Sequence, residues 1–308
     1  MYNGTILLPP KFIRGVYVAD RYHYLFEEIA SRLSWKIHIA NDVSANDIDG
    51  NYLLSFKSPQ HDDISRGASI PDIPKHIKVI SYVVDLQHAS KGSKLYDLMC
   101  KVMTRANIIL CPYDEAFRRI YPQFVNKYVF FPNFFGPTSR YSNENECNRI
   151  NKALVSGHLN KHFYPVRVMA SQLNDVCDIL PHPGYSGNTI DTSKFKVGDA
   201  FADTLRRYKC AVTCCSSLNY VLAKHFEIPA AKTIMMSDNC RDMKKIGFVP
   251  GKHFVEIVKQ PNVMLNQIRT ILHSNNHKNM IDNAYEFVMK NHTIEARTQQ
   301  FVNMIGDI

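Results

Sequence analysis

Two α/β domains are what this sequence predicts, and three observations predict them. Between Tyr22 and Phe131, short apolar runs of strand length alternate with segments of helical periodicity. The stretch Pro132–Cys147, PNFFGPTSRYSNENEC, breaks the alternation with Pro, Gly, Ser and Asn and has no period of its own. From Ala153 the alternation starts again and runs to Lys290. Strands separated by helices form parallel sheets, so the fold class is α/β: two Rossmann-like domains. Ligands of such sheets bind beyond the carboxyl ends of the strands, which places the expected site in a cleft between the domains.

The elements follow in order. Tyr22–Leu33 carries Leu25, Phe26, Ile29, Ala30 and Leu33 at helical spacing. KIHIA (Lys36–Ala40) and YLLSF (Tyr52–Phe56) read as short strands. IKVISYVV (Ile77–Val84) is a continuous apolar run, as a strand buried on both faces requires. A helix over Leu95–Arg105, a strand over Asn107–Cys111, a helix over Asp114–Ile120 and a strand over Tyr128–Phe131 complete the first half. In the second half the strands are Ala153–Ser156, Cys177–Leu180, Cys210–Cys214 and Thr233–Met236. The helices are Arg167–Leu173, Asp199–Tyr208, Asn219–Glu227, Val263–His273 and Lys278–Lys290. The boundaries predicted are a first domain over 1–134, a linker over 135–150, a second domain over 151–290 and a terminal helix over 291–308.

Composition narrows the class. Of 308 residues, 45% are hydrophobic and 21% charged, a globular balance that excludes a disordered chain. No apolar run approaches the roughly 20 residues that span a bilayer. MYNGTILLPPKFIRG lacks the basic stretch and long apolar run of a secretory signal. The eight cysteines form no CxxC pair and sit mostly in apolar contexts, so the expectation is reduced thiols in a cytoplasmic protein. The net charge of +9 suits an anionic partner, but the basic residues are dispersed and no nucleic-acid motif accompanies them. No nucleic-acid partner is expected; peripheral contact with a membrane surface stays open.

Several residues have the chemistry of an anion or sugar site. Ser156–Gly157 ends a strand, and a glycine there lets backbone amides approach a phosphate. Arg167, ten residues on, can grip a diphosphate with two parallel hydrogen bonds, or it is a solvated arginine after a plain turn. His182, Gly184 and Tyr185 lie in HPGY, a tight turn after CDIL, where the tyrosine can pack on a base or sugar. Lys224 and Glu227 are three apart on one helix face: a surface ion pair, or one group for phosphate and one for a diol. Glu227 falls in the last turn of the expected helix, where a carboxylate opposes the dipole and a ribose diol is a reason for keeping it. Asp85 and His88 follow the apolar strand in VVDLQH; Asp85 is either a general base or a helix cap.

Four segments, SGHLNKHFYPVR (Ser156–Arg167), HPGY, KHFEIPAAKTIMM (Lys224–Met236) and NHTIEAR (Asn291–Arg297), stand in the order and spacing of a known family. They resemble the GT-B glycosyltransferases, especially the group 1-like, CgeB-type proteins of bacteria and large viruses. The resemblance implies a GT-B fold and transfer of a sugar from a nucleoside diphosphate sugar to a glycan or other hydroxyl acceptor. It implies donor binding by Ser156, Gly157, Arg167, His182, Gly184, Tyr185, Lys224 and Glu227, and a terminal helix crossing back onto the first domain. It implies no metal and no cofactor, in the cytoplasm, or the host cytoplasm for a viral member. Asp47-Ile48-Asp49 matches the metal-binding DxD of GT-A enzymes literally, but it stands alone in a polar turn and is read as loop. The sequence departs from the family twice. Tyr220 stands where many retaining enzymes carry a second glutamate, so retention or inversion stays open. Ala231-Lys232 replaces a Ser-Gly pair, and Lys232 either adds a phosphate contact or narrows the loop. Both departures keep an alternative in play: a non-catalytic nucleotide- or sugar-binding module derived from such an enzyme.

Overall fold

The computed structural model describes residues 2–9, 19–40, 44–57, 73–86, 91–142, 148–184 and 190–306. The chain divides into two units. The first contains the N-terminal strand, Tyr22–Pro132 and the C-terminal stretch from Arg297. The second contains Asn133–Ala296 and a short segment ending at Arg21.

In the first unit the strands are β1 (Gly4–Leu8), β2 (Lys36–Ile39), β3 (Tyr52–Lys57), β4 (Lys78–Val83), β5 (Ile108–Cys111) and β6 (Tyr128–Phe130). They form one sheet in the order β2-β1-β3-β4-β5-β6, every pairing parallel. Its helices are α1 (Arg21–Leu33), α2 (Lys94–Arg105) and α3 (Asp114–Ile120). Ser93 caps α2 by accepting the Tyr96 N–H at 3.1 Å. The core is aromatic: Tyr22 packs on Phe56 at 4.7 Å between ring centroids, and Tyr82 on Phe131 at 5.5 Å. Each such ring, fully buried, stabilises the fold by about 1.5–3 kcal/mol.

The second unit carries β7 (Ile150–Ser156), β8 (Cys177–Leu180), β9 (Tyr208–Val212), β10 (Ile234–Ser237) and β11 (Val255–Glu256), ordered β11-β10-β9-β7-β8 and again all parallel. Its helices are α4 (Pro165–Ser171), α5 (Gly198–Arg206), α6 (Lys224–Ala230), α7 (Arg241–Ile246), α8 (Pro261–His273) and α9 (Lys278–Asn291). The last helix, α10 (Ile294–Gly306), ends in the first unit. There Phe301 meets the Trp35 ring edge-on at 5.8 Å, Arg32 donates to Gln299 at 2.9 Å, and Gln300 donates to the Phe130 carbonyl at 3.0 Å.

Three features differ from the sequence expectation. β1 was not expected: GTILL is short and runs into two prolines, yet all five residues are buried between β2 and β3. The start of the stretch read as linker, Pro132–Cys147, packs into the second unit. Asn133, Phe134, Phe135 and Tyr141 are buried, and Asn133 Nδ2 donates to the Val221 carbonyl at 3.0 Å. The helix expected over Asn219–Glu227 begins at Lys224 and runs through Pro229 to Ala230. Glu227 therefore lies in the first turn, where the dipole favours a carboxylate, and the dipole argument that singled it out does not hold. The delay has a local cause: His225 Nδ1 accepts the Leu222 N–H at 3.1 Å, which fixes the preceding residues in a turn. Pro229 removes only one hydrogen bond from a seven-residue helix.

Candidate functional site

In the second sheet the chain leaves β7 for β8 on one side and later fills β9 on the other, so β7 borders the switch point where such folds take ligands. β7 ends in Ser156, and Gly157 follows at φ +97°. Glycine is required here on two counts. Side-chain residues are strained at that φ, and a Cβ would stand 2.8 Å from Arg167 Nη1 and 2.9 Å from Lys224 Cε.

Arg167 sits in α4, 3% exposed, with its guanidinium 4.4 Å from the Tyr164 ring centroid. Nη1 donates to the His158 carbonyl at 3.0 Å. Its Nε and the Ser156 hydroxyl are buried without a protein partner, an arrangement costly enough to call for a ligand or ordered water. Arg167 lies behind Gly157 rather than in the wall of the recess described below.

α6 supplies Lys224 and Glu227. Its other face is fixed: Phe226 is in the core, and buried His225 donates from Nε2 to Ser237 Oγ at 3.0 Å, which in turn donates to the Asp238 carbonyl at 2.8 Å. Burial holds the His225 imidazole neutral, its pKa lowered to about 3. Lys224 is not in an ion pair with Glu227. Its ammonium lies 4.7 Å from the Phe201 ring centroid, and the Glu227 carboxylate makes no hydrogen bond among the described residues. Burial lowers the Lys224 pKa to about 8; Arg167 and Arg21 push the same way, and Glu227 opposes them. His182, after β8, accepts the Gly184 N–H at Nδ1 (2.9 Å), so its single proton is on Nε2. Burial, then Lys224, His158 and Arg167, lower its pKa to about 4.

Ser156, Gly157, His182, Lys224 and Glu227 line one recess of about 550 Å³ including its mouth, entirely within the second unit. Asp20, Arg21, Arg140, Tyr141, Gly198 and Phe201 also stand in the wall, beside Ala19 and Gly136. None of these was singled out in the sequence. Arg140 and Tyr141 fall in the stretch read as linker, and the two phenylalanines of FFGPTSRY were the signal that it is core. Burial and the nearby Glu227 hold the Tyr141 phenol protonated.

The remaining sequence candidates lie elsewhere. His88 and Tyr185 are outside the described residues. Asp85 follows β4 half-buried at φ +57°, a left-handed conformation uncommon for a residue with a side chain. It does not cap α2, which Ser93 does. Lys232 is not among the residues lining the recess: it has φ +53° and its ammonium lies 4.7 Å from the Tyr285 ring centroid. Asp47 is taken by the N–H and hydroxyl of Ser44 at 2.8 and 2.7 Å, and Asp49 by Lys36 at 2.5 Å.

Known structures share this architecture. Anabaena HepE, solved with UDP-glucose, matches with a TM-score of 0.66 at 9% identity over 99% of this chain and 100% of that one. Sucrose-phosphate synthase from Thermosynechococcus elongatus matches at 0.57 and 11%, over 93% and 77%. The fold is GT-B. Pneumococcal O-GlcNAc transferase GtfA, solved with UDP and GlcNAc, matches this GT-B chain at 0.52 and 9%, over 83% and 56%. The chain thus spans little more than half the length of GtfA while matching HepE throughout. Residues 158–303 also match a family described as glycosyl transferase-like. A search among curated protein sequences finds no match. Among the described residues no helix is long and apolar enough to cross a membrane.

Proposed function

We propose that the protein is a glycosyltransferase whose second unit holds a nucleoside diphosphate sugar in the recess at the end of β7. One observation carries the reading. Lys224, backed by Arg167 and Arg21, converges on a glycine-opened strand end beside an uncommitted carboxylate, Glu227. Like charges crowd this way where an anion is to be bound. In this reading Lys224 and the backbone N–H groups at Gly157 meet the diphosphate, and Arg167 adds positive potential from behind the glycine. Glu227 accepts the two ribose hydroxyl protons, and His182 offers its Nε2–H to the donor. As the donor's glycosidic bond breaks, charge grows on the departing phosphate, and groups already in place stabilise it without reorganising.

The finer points belong to the same proposal. The four motifs favour the group 1-like, CgeB-type enzymes as its relatives. The acceptor is a glycan or another hydroxyl compound, the reaction needs no metal, and Asp85 or His88 serves as base if the reaction inverts. UDP-sugars are the first donors to try, because HepE and GtfA were solved with UDP-glucose and with UDP and GlcNAc. The test is a thermal-shift panel of UDP-, GDP-, ADP- and dTDP-sugars, followed by transfer assays with and without EDTA. A ligand at one hundred times its Kd adds about 2.7 kcal/mol of stability, enough to find the base. In Glu227→Ala, nucleotide binding and transfer are expected to disappear from a folded protein. Unchanged nucleotide affinity in that variant overturns the assignment of Glu227. Binding without transfer or hydrolysis favours the non-catalytic module, and turnover abolished by EDTA and restored by manganese refutes metal independence.

A further inference from the structure

We infer that Arg140 is a positioning residue of this recess: it fastens Asp20, and so the Ala19–Arg21 segment, into the wall, and does not itself bind the donor. The inference rests on the donor-site reading above. Arg140 Nη1 and Nη2 donate to the two carboxylate oxygens of Asp20 at 3.1 and 3.0 Å, the parallel pair that a planar guanidinium alone can make. Nε donates to Asp199 Oδ1 at 2.7 Å. One side chain, 9% exposed, thus joins three stretches of chain near residues 20, 140 and 199.

The surroundings are cut to fit this group. A Cβ on Gly136 would lie 2.7 Å from Nη1, and one on Gly198, at φ +56°, 3.4 Å from Nη2. Arg206 donates to the Arg140 carbonyl at 3.1 Å and holds its backbone. With two carboxylates on one guanidinium, its charge is already neutralised, unlike that of Lys224. What the clamp delivers is Arg21, next to Asp20, whose charge is one of those acting on Lys224. Releasing Asp20 removes Ala19 and Arg21 from the wall and leaves the diphosphate side of the recess open.

The alternative, Arg140 as a direct phosphate ligand, makes the opposite prediction for Asp20. Asp20→Asn, Arg140→Lys, Arg140→Gln and the Asp20→Asn/Arg140→Gln double variant are titrated with UDP, or with the nucleotide the donor panel selects, by calorimetry below each variant's melting temperature. Donor KM and kcat are measured alongside. A positioning role predicts about a tenfold or greater loss of affinity in Asp20→Asn. It predicts a similar loss in Arg140→Lys, which keeps the charge but not the fork, and a double variant no weaker than the weaker single. A direct ligand predicts near-normal binding in Arg140→Lys and equal or tighter binding in Asp20→Asn, where the cation is freed. That result overturns the inference, as does unchanged affinity in all four variants. If Arg140→Gln does not fold, the isosteric Asp20→Asn decides alone. Failure of the unsubstituted protein to bind any nucleotide is a separate result: it refutes the donor-site reading, and this inference with it.

Discussion

The two units are built on one plan and furnished differently. Read along the chain, both sheets follow the order 2-1-3-4-5, the first with a sixth strand added after β5. In the first unit the space around the sheet is filled by large rings, Tyr22, Phe26, Phe56, Tyr82 and Phe131. In the second, the sheet itself carries small residues such as Ala153, Cys177, Cys210 and Ala211. The large polar side chains gather beyond its strand ends. Topology sets where a ligand can lie, and the residues just past each strand decide whether one is held. β7 is followed by a glycine at φ +97°, β4 by Val84 and then an aspartate at φ +57°. The first arrangement opens the backbone to a ligand; the second presents one carboxylate from a strained position.

That contrast can be broken most forcefully at Gly157. Gly157→Ala forces the tips of Arg167 and Lys224 aside and places a side chain at a disfavoured φ. Because both displaced tips are flexible, folding is expected to suffer by only about 1–2 kcal/mol. Donor affinity, measured by calorimetry, is expected to fall by roughly a hundredfold or more. Normal affinity in Gly157→Ala argues that the recess is not the donor site.

The first unit is tested by Asp85→Asn, which preserves size and hydrogen bonding while removing the carboxylate. A catalytic carboxylate predicts a rate loss of roughly a hundredfold with donor affinity intact. Near-normal turnover leaves the first unit without an assigned catalytic group at that position.

A gentler probe is pH. Lys224 loses its proton as pH rises through about 8 in the free protein. kcat/KM for the donor is therefore expected to be flat below that value and to fall about tenfold per pH unit above it. Lys224→Arg is expected to move the fall far into alkali; a fall at the same pH in that variant shows that another group titrates.

The smallest effect is on stability alone. His225 stays neutral in the fold down to about pH 3, whereas in the unfolded chain it takes a proton below about 6.5. Its contribution is complete above pH 6.5 and lost as pH falls toward 3. Between pH 6.5 and 5 the loss is roughly 2 kcal/mol. His225→Gln, whatever its stability at neutral pH, is expected to flatten the acid side of a Tm-against-pH curve; an unchanged slope assigns the acid sensitivity elsewhere.

How much of this was legible depended on the range of the interaction. Asp114–Ile120 and Cys177–Leu180 are bounded as the sequence suggested, because prolines punctuate them locally: Pro112 and Pro122 outside the helix, Pro181 directly after the strand. Ser156, Gly157, His182, Lys224 and Glu227 were found through short motifs and lie around one recess. Arg140 was not found, since its meaning lies in a partner 120 residues away and in glycines that look like linker composition. α6 was misplaced because a proline ordinarily ends a helix, and because its true start is set by one side-chain bond, the Leu222 N–H to His225 Nδ1, which no periodic pattern displays.

The docking of α10 on the first unit has a consequence for how the chain is made. Trp35 and Phe130 are translated early, yet the helix that meets them through Phe301 and Gln300 is translated much later. At about 5–20 residues per second, the interval between Pro132 and Arg297 leaving the ribosome is roughly 10–30 s. The closing loop's length adds little in free energy, since that cost grows only with its logarithm. Time is the larger matter. The second unit, contiguous from Asn133 to Ala296 apart from its short N-terminal segment, is nearly all synthesised before the first can be finished. The half of the protein that is written first is completed second, and until then the surface around Trp35 waits uncovered.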